Sequence, residues 1–248
     1  MNQAELIHRR KWDHLVILDS ARYDHFEQEV WRYLDGHLEE AHSPFGGTLG
    51  WLKGTWRGSY NLCYYSTIPL VNSRVPLYGF DARVHFREIV DLWDSAWDEE
   101  LSTVPPWNVN RAVLSHRRPR SVVHYAQPHG PWIGETKLTV RGVKHRIVSS
   151  RPFFVLRPEG APYHADGMVI RYMVRQGKVD VETLRRAYRD NLRLVLEHAR
   201  ELVDGLEGKI VLSSDHGEFL GEHGLFGHGE HLPKLPELTR VPWFEVMR

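Results

Sequence analysis

Residues 210–229 read IVLSSDHGEFLGEHGLFGHG, and this stretch decides how the rest of the 248-residue chain is interpreted. The apolar run from Ile210 to Leu212 predicts a short buried strand, and Asp215 and His216 come just after it. In open α/β sheets, the loops at the carboxyl ends of the strands form the crevice that binds ligands. An adjacent aspartate and histidine can supply an oxygen and a nitrogen to one Zn²⁺ or Mn²⁺ ion. The stretch therefore predicts a metal site at a strand end, against the simpler alternative of a polar loop with scattered histidines.

The composition is that of an ordinary globular domain, with 42% apolar and 26% charged residues. The 32 basic residues balance the 32 acidic ones, so no overall charge would attract nucleic acid or an anionic membrane. Cys63 is the only cysteine, which excludes an internal disulfide and argues against a cysteine-based zinc site. No apolar run approaches the roughly 18 residues that span a bilayer, and the first residues lack a signal-peptide core. A cytoplasmic location without a membrane span is expected.

Two other apolar runs end in polar side chains. HLVILD at 14–19 predicts a strand buried on both faces of a parallel sheet, with Asp19 at its end. SVVHYAQPHGPWIG at 121–134 repeats the pattern and carries His129 among prolines and a glycine. Because the carboxyl ends of parallel strands meet at one edge of a sheet, these side chains are expected near Asp215.

Thr48 is the candidate nucleophile. It follows two glycines and precedes apolar residues at helical spacing, which places it near a helix N-terminus where free N–H groups favour an anion. A hydroxyl there can approach a phosphate and be activated by a metal. Two alternatives stay open: Thr48 as a helix N-cap only, and Ser43 or Thr55 as the nucleophile, although neither follows the glycine pair.

The remaining patterns predict helices alternating with strands in one domain, 1–248. The clearest helix runs over 180–206, where apolar residues form one long stripe and Asp180 is the expected N-cap. Further helices are predicted at about 25–34, at 84–97 and up to about 116, and further strands at 60–66 and in ELTRVPWFEV at 237–246. Asp24 is expected to cap the first of these helices. Residues 135–178 show no steady period and predict an insertion with two or three strand-like pieces.

Two carboxylates, one imidazole and one hydroxyl form a four-ligand set for one divalent ion. Asp19, Asp215, His216 and Thr48 supply these groups from distant parts of the chain. Metal binding would lower the hydroxyl pKa and supply an alkoxide near neutral pH. The same ion can neutralise charge that develops on a phosphoryl or sulfuryl oxygen.

Four motifs together resemble the alkaline phosphatase superfamily, nearest its sulfatase-like branch. They are DSARYD at 19–24, the glycine-preceded Thr48, YAQPHGPWIG at 125–134 and SDHGEFLGEHGLFGHG at 214–229. They occur in the family's order and span about Leu15 to Glu245. The resemblance implies an α/β fold in which a mixed, mostly parallel central sheet has helices on both faces. It also implies hydrolysis or transfer of phosphate or sulfate esters through a covalent intermediate on the nucleophile.

The resemblance implies roles for individual residues. It makes Thr48 the nucleophile and assigns the metal to the four-ligand set named above. His129 resembles a contact to the substrate or leaving group, and His228 stands where related proteins place a basic residue against the substrate's anionic group. Asn72 resembles the asparagine that binds a non-bridging oxygen in related phosphodiesterases.

The sequence also departs from the family. True sulfatases convert the first residue of a C/S-x-P-S-R motif into formylglycine, and the chain has no such motif. The only Asp-x-x-x-His spacing considered for a second metal, Asp81 to His85, lies far too early in the chain. One ion, zinc or manganese with magnesium or calcium as alternatives, is therefore expected. His129, His223 and His228 are the candidates for a second, weaker site.

The predicted function is metal-dependent hydrolysis or transfer of phosphate mono- or diesters through a phosphothreonine. The substrate would be a small molecule or a glycan- or lipid-linked phosphate ester. The alternatives are a sulfuric ester hydrolase and a non-catalytic relative that binds a metal or an anion. Specificity for the alcohol is assigned to residues 135–178 and to Trp51, Tyr78 and Trp132.

Overall fold

A computed structural model describes residues 1–138, 146–148, 151–153 and 166–247. The strands in these ranges are β1 His14–Leu18, β2 Gly36–His42, β3 Tyr60–Ser66, β4 Phe86–Asp91, β5 Ser121–Tyr125, β6 Arg146–Val148, β7 Arg151–Phe153, β8 Ile210–Ser213, β9 Phe219–Leu220, β10 Phe226–Gly227 and β11 Arg240–Val246. The α-helices are α1 Gln3–Arg9, α2 Tyr23–Glu29, α3 Thr48–Thr55, α4 Ala82–His85, α5 Leu92–Ser95, α6 Pro106–Ser115, α7 Asp166–Arg175, α8 Val181–Gly205 and α9 Pro236–Thr239. No helix within these ranges is long and apolar enough to cross a membrane.

Seven strands form the central sheet, in the order β2-β11-β8-β1-β5-β3-β4. β11 runs antiparallel to both of its neighbours, and the other neighbouring pairs are parallel. The middle strand β1 pairs His14 with Ile210 of β8 and Leu18 with Tyr125 of β5. The carboxyl ends of these three strands therefore lie side by side at one edge.

Helices cover both faces of this sheet because its strands are apolar on both sides. Val16 and Leu18 of β1 belong to a core cluster that includes Leu196 of α8. Leu15 and Ile17, which point the other way, belong to a second cluster with α1 and with Trp51 of α3. The predicted mixed sheet between two helical layers is confirmed.

The predicted long helix is α8, and its sequence explains both of its ends. The Asp180 side chain accepts a hydrogen bond of 2.7 Å from the Thr183 N–H, which makes Asp180 the N-cap as predicted. The last helical residue is Gly205. Helix α8 then leads into β8, and this crossover places the residues after β8 at the same sheet edge as the end of β1.

The prediction of one helix over 84–97 is wrong, because Phe86–Asp91 in the middle of that segment form the edge strand β4, between the short helices α4 and α5. Phe86 pairs with Tyr60 of β3, and its ring centroid lies 4.8 Å from that of Tyr64. Pairing with the open edge of β3 satisfies the backbone of a segment that contains the β-branched Ile89 and Val90. Pairing with β3 thus outweighs the helical spacing of the apolar residues in this segment.

Two further differences concern the start of the chain. Arg22, rather than Asp24, is the N-cap residue of α2, and Asp24 lies in the first helical turn. Strand β2 was not predicted, since GHLEEAH at 36–42 has no apolar run and is a half-exposed edge strand.

Of the predicted insertion, β6, β7 and α7 lie within the described ranges, and residues 139–145, 149–150 and 154–165 lie outside them.

Candidate active site

Four predicted residues lie together at the carboxyl edge of the sheet. Thr48 Oγ1 donates a hydrogen bond of 2.7 Å to Asp215 Oδ2 and lies 3.2 Å from His216 Nε2. His216 Nε2 is 3.8 Å from Asp19 Oδ1. One ligand atom from each of Asp19, Asp215 and His216 lies within 4.8 Å of the others. Residues from three separate parts of the chain thus form one cluster, which we call the Thr48 cluster.

Glycines hold the backbone of this cluster at two points. Gly47 is the N-cap of α3, so Thr48 is the first helical residue and the alternative of Thr48 as an N-cap is wrong. Gly217 donates its N–H to the Leu238 carbonyl at 2.8 Å. A Cβ at Gly217 would overlap the carbonyl oxygen of Glu237, so only glycine permits this close approach.

Hydrogen bonds to backbone groups orient the side chains of His216 and Asp215. His216 Nδ1 lies 2.9 Å from the Gly217 carbonyl, which needs an N–H donor, so Nε2 presents its lone pair to Thr48. Asp215 Oδ1 accepts the N–H groups of Ser20 at 3.2 Å and His216 at 3.0 Å. Its other oxygen is thereby left for Thr48.

The electrostatics of the cluster suit a cation. Burial and the nearby Asp215 raise the pKa of Asp19 to about 7. Burial opposes ionisation of Asp215, but the imidazoles of His216 and His124 and the Thr48 hydroxyl hold its pKa below the ordinary value. Burial lowers the pKa of His216 to about 4, so that ring is neutral. Two buried carboxyl groups beside a neutral imidazole favour a cation, and these oxygen and nitrogen donors fit a divalent ion such as Zn²⁺ or Mn²⁺.

A second cluster of His129, Glu218 and His228 lies beside the first. One ligand atom from each lies within 4.8 Å of the others. The ring centroid of His228 is 4.4 Å from that of His216 and 5.0 Å from that of His129. His228 Nδ1 forms an ion pair of 3.5 Å with Glu218 Oε1. Burial would lower the pKa of His228, but the bond to Glu218 raises it above the ordinary value.

Glu218, and not His223, completes this second cluster. His223 lies at the surface, with Nε2 3.2 Å from Glu237 Oε1, so the prediction that it joins His129 and His228 is wrong. The sequence analysis assigned Glu218 to neither of the two candidate sites. The signal that could have found it is its position three residues after Asp215, in the same tight loop.

Arg22 links the loop after β1 to the loop after β8 by holding carboxylates of both. Its buried guanidinium donates to Asp24 at 2.6 Å and to Glu222 at 2.8 Å. It also donates to the backbone carbonyl of Glu218 at 3.3 Å. The loop after β1 is thereby tied to the loop after β8.

Neither competing nucleophile is placed as Thr48 is. Ser43 Oγ donates to the backbone carbonyl of Asp215 at 2.6 Å, and this bond joins the end of β2 to the loop after β8. Thr55 is the last residue of α3, at the opposite end of the helix from Thr48. The geometry therefore favours Thr48 over both alternatives.

Asn72 has the contacts of a turn-forming residue. Its side-chain amide donates to the Pro69 carbonyl at 3.0 Å. Its Oδ1 accepts the N–H groups of Arg74 at 2.9 Å and Val75 at 2.8 Å. The predicted contact of Asn72 with a substrate oxygen stays a prediction.

The three aromatic residues assigned to specificity lie in different environments. Trp51 is fully buried in the core beneath α3, so its assignment to substrate selection is wrong. Trp132 is also buried and packs with Ile170 and Leu184. Tyr78 is 47% exposed and remains accessible to a ligand.

Comparisons with known proteins support the fold. No protein-family model matches the sequence, and no curated protein matches it. A 2-O GAG sulfatase has a similar structure, with a TM-score of 0.50 and 13% identity over 96% of this chain and 65% of that chain. This similarity and the sheet order confirm the predicted α/β fold, in which a mixed, mostly parallel central sheet has helices on both faces.

Two other solved structures are also similar. The C-terminal periplasmic domain of phosphoethanolamine transferase EptC from Campylobacter jejuni gives a TM-score of 0.48 at 17% identity, over 94% of this chain and 77% of that chain. Phosphonate monoester hydrolase of Agrobacterium radiobacter gives 0.49 at 11% identity, over 95% and 68%.

Proposed function

We propose that the chain is a metal-dependent enzyme that hydrolyses or transfers phosphate esters, with Thr48 as the nucleophile. One observation carries the proposal. The Thr48 hydroxyl lies 2.7 Å from Asp215 Oδ2 and 3.2 Å from His216 Nε2, at the first residue of a helix. A hydroxyl in contact with a carboxylate and an unprotonated imidazole nitrogen, at the positive end of a helix dipole, is placed to be activated against an anionic substrate.

Asp19, Asp215, His216 and Thr48 would hold one divalent ion. Zinc and manganese suit these mixed oxygen and nitrogen ligands best, with magnesium and calcium as alternatives. When bound, the ion would lower the pKa of the Thr48 hydroxyl and neutralise charge on a phosphoryl oxygen. The cluster of His129, Glu218 and His228 could take a second, weaker ion.

The chain's own residues account for the bond changes. Thr48 Oγ1 gives its proton to Asp215 Oδ2, which accepts its hydrogen bond, and forms a bond to phosphorus while the ester bond between phosphorus and the alcohol oxygen breaks. The departing oxygen takes a proton from His228, whose pKa the ion pair with Glu218 raises, or from His129. Water or a second alcohol then attacks the phosphothreonine and gives its proton to the histidine that lost one. The bond between Thr48 Oγ1 and phosphorus breaks, and Asp215 returns the proton to Thr48.

The substrate's route to Thr48 is inferred from side-chain exposure, and its chemical class is inferred from the sequence. The Thr48 cluster is buried, whereas the His228 side chain is 22% exposed, so a substrate would reach Thr48 past the histidines. The lack of a formylglycine motif favours phosphate over sulfate esters. A small-molecule ester or a glycan- or lipid-linked phosphate would fit this chemistry. The cytoplasmic location stays a prediction.

The test compares hydrolysis of aryl phosphate monoesters, aryl phosphate diesters and aryl sulfates with added zinc or manganese. We expect Thr48→Ala to lower kcat/KM for the best phosphate ester by at least about 10³-fold. Thr55→Ala, on the same helix, should retain turnover and serves as the matched control. Mass spectrometry of acid-quenched enzyme should find phosphate on the peptide that contains Thr48.

Three outcomes would contradict the proposal in different ways. Undiminished activity in Thr48→Ala, or phosphate on another residue, would refute the nucleophile assignment. Faster turnover of sulfates than of phosphates would indicate a sulfuric ester hydrolase. Stoichiometric metal binding without turnover of any ester would indicate a non-catalytic relative.

A further inference from the structure

His124 is a buried histidine whose outer nitrogen faces the candidate metal ligands. It lies in β5, is fully buried, and its Nε2 has no hydrogen-bond partner within the described ranges. Buried polar atoms in folded proteins almost always have such a partner. His124 Nε2 lies 3.7 Å from Asp19 Oδ2, only slightly beyond hydrogen-bond distance. The unsatisfied nitrogen therefore points to an interaction with Asp19.

A tyrosine sets the tautomer of this histidine. The Tyr64 hydroxyl lies 2.7 Å from His124 Nδ1, and burial raises the pKa of Tyr64 well above its ordinary value, so the hydroxyl keeps its proton. If Tyr64 donates to Nδ1, the histidine carries its own proton on Nε2. The opposite tautomer would set the Nε2 lone pair against the Asp19 carboxylate. The first tautomer satisfies both groups and makes Nε2 a donor.

The two oxygens of Asp19 face different partners. Oδ1 accepts a hydrogen bond of 2.9 Å from Ser20 Oγ and lies 3.8 Å from His216 Nε2, within the Thr48 cluster. Oδ2 faces His124. Asp19 could therefore bind an ion through Oδ1 while a protein donor holds Oδ2.

We infer that His124 is a positioning residue that donates its Nε2–H to Asp19 Oδ2 and so holds Oδ1 toward the divalent ion. The inference rests on the metal site of the proposed function. Partners that hydrogen-bond to metal ligands fix their orientation, and loss of one lowers metal affinity by about 10- to 100-fold. The Trp51 ring, whose centroid lies 6.2 Å from that of His124 in an edge-on arrangement, limits rotation of the imidazole.

A buried histidine elsewhere in the same sheet supplies the matched control. His14 lies on the neighbouring strand β1, at the opposite edge of the sheet, with Nδ1 2.9 Å from Ser121 Oγ. His14→Leu and His124→Leu each remove a buried imidazole from the sheet. Only His124→Leu removes a donor to a metal ligand.

The experiment measures Co²⁺ affinity of the chelator-treated full chain by its visible absorption, which reports the ligand geometry. We expect His124→Leu to bind Co²⁺ about 10- to 100-fold more weakly than wild type. His124→Gln, whose amide can still donate, should lie closer to wild type, and His14→Leu should match wild type. In an Asp19→Asn background, His124→Leu should cause little further loss, because the two residues act through one contact.

The outcomes separate this inference from the proposed function. A wild-type chain that takes up no ion would overturn both. Ion binding by wild type with an unchanged affinity in His124→Leu, or an equal loss in His124→Gln, would overturn the role of His124 alone. If His124→Leu does not fold, Tyr64→Phe decides: a weaker affinity supports the inference, and an unchanged affinity refutes it.

Discussion

Asp19→Asn should stabilise the metal-free protein and weaken metal binding, and both effects have the same origin. Asp19 and Asp215 are buried together in the Thr48 cluster. Burial and the Asp215 charge raise the pKa of Asp19 from its ordinary 3.8 to about 7. At about 1.36 kcal/mol per pH unit, an ionised Asp19 costs the folded chain about 4 kcal/mol above pH 7. Asparagine keeps the shape of the side chain without this cost.

The sign of the effect follows from proton binding by the two states. Below about pH 4, Asp19 is protonated in both the folded and the unfolded chain, and the cost is absent. Between about pH 4 and 7 the unfolded chain releases the proton while the folded chain retains it. The wild type therefore loses about 1.4 kcal/mol per pH unit relative to Asp19→Asn, and the difference becomes constant above pH 7.

Urea unfolding with a chelator, at pH 5 and pH 8, measures this difference. From pH 5 to pH 8 the advantage of Asp19→Asn in free energy of unfolding should grow by about 3 kcal/mol. Zinc at 100 times its Kd should then stabilise the wild type by about 2.7 kcal/mol and the variant by less. A difference that does not change with pH would refute the buried-carboxylate reasoning. Equal stabilisation of both proteins by zinc would refute Asp19 as a ligand.

Three further changes test other parts of the site and the fold. Glu218→Gln should lower the pKa of His228, because the ion pair raises it, so the alkaline fall of kcat/KM for a phosphate ester should move to lower pH. An unmoved pH profile would exclude His228 as the proton donor. Gly217→Ala should cost about 1–3 kcal/mol in urea unfolding and weaken metal binding, since its Cβ would overlap the Glu237 carbonyl. Phe26→Ala, which removes a fully buried ring, should cost about 3–5 kcal/mol in the same assay, and a much smaller cost would contradict its place in the core.

The strand ends were predictable because a strand buried on both faces of a parallel sheet is a continuous apolar run in the sequence. HLVILD and IVLSSD are apolar runs that stop abruptly at carboxylates, and the structure places Asp19 and Asp215 at neighbouring strand ends. The helix over 84–97 was mispredicted because Phe86 and its neighbours pair with β3, a contact that local periodicity does not encode. The resemblance to a known family added the roles of His129 and His228, which local patterns alone leave open.

The amino-acid sequence by itself determined the α/β class, the long helix α8 and the set of polar residues at strand ends, because each depends on a local pattern of burial. Only the tertiary structure decided that Glu218 pairs with His228 and that Thr48 contacts Asp215 and His216. Those outcomes depend on where loops from distant parts of the chain meet. The upward pKa shifts of Asp19 and His228 likewise come from tertiary contacts, because burial and neighbouring charges set a pKa.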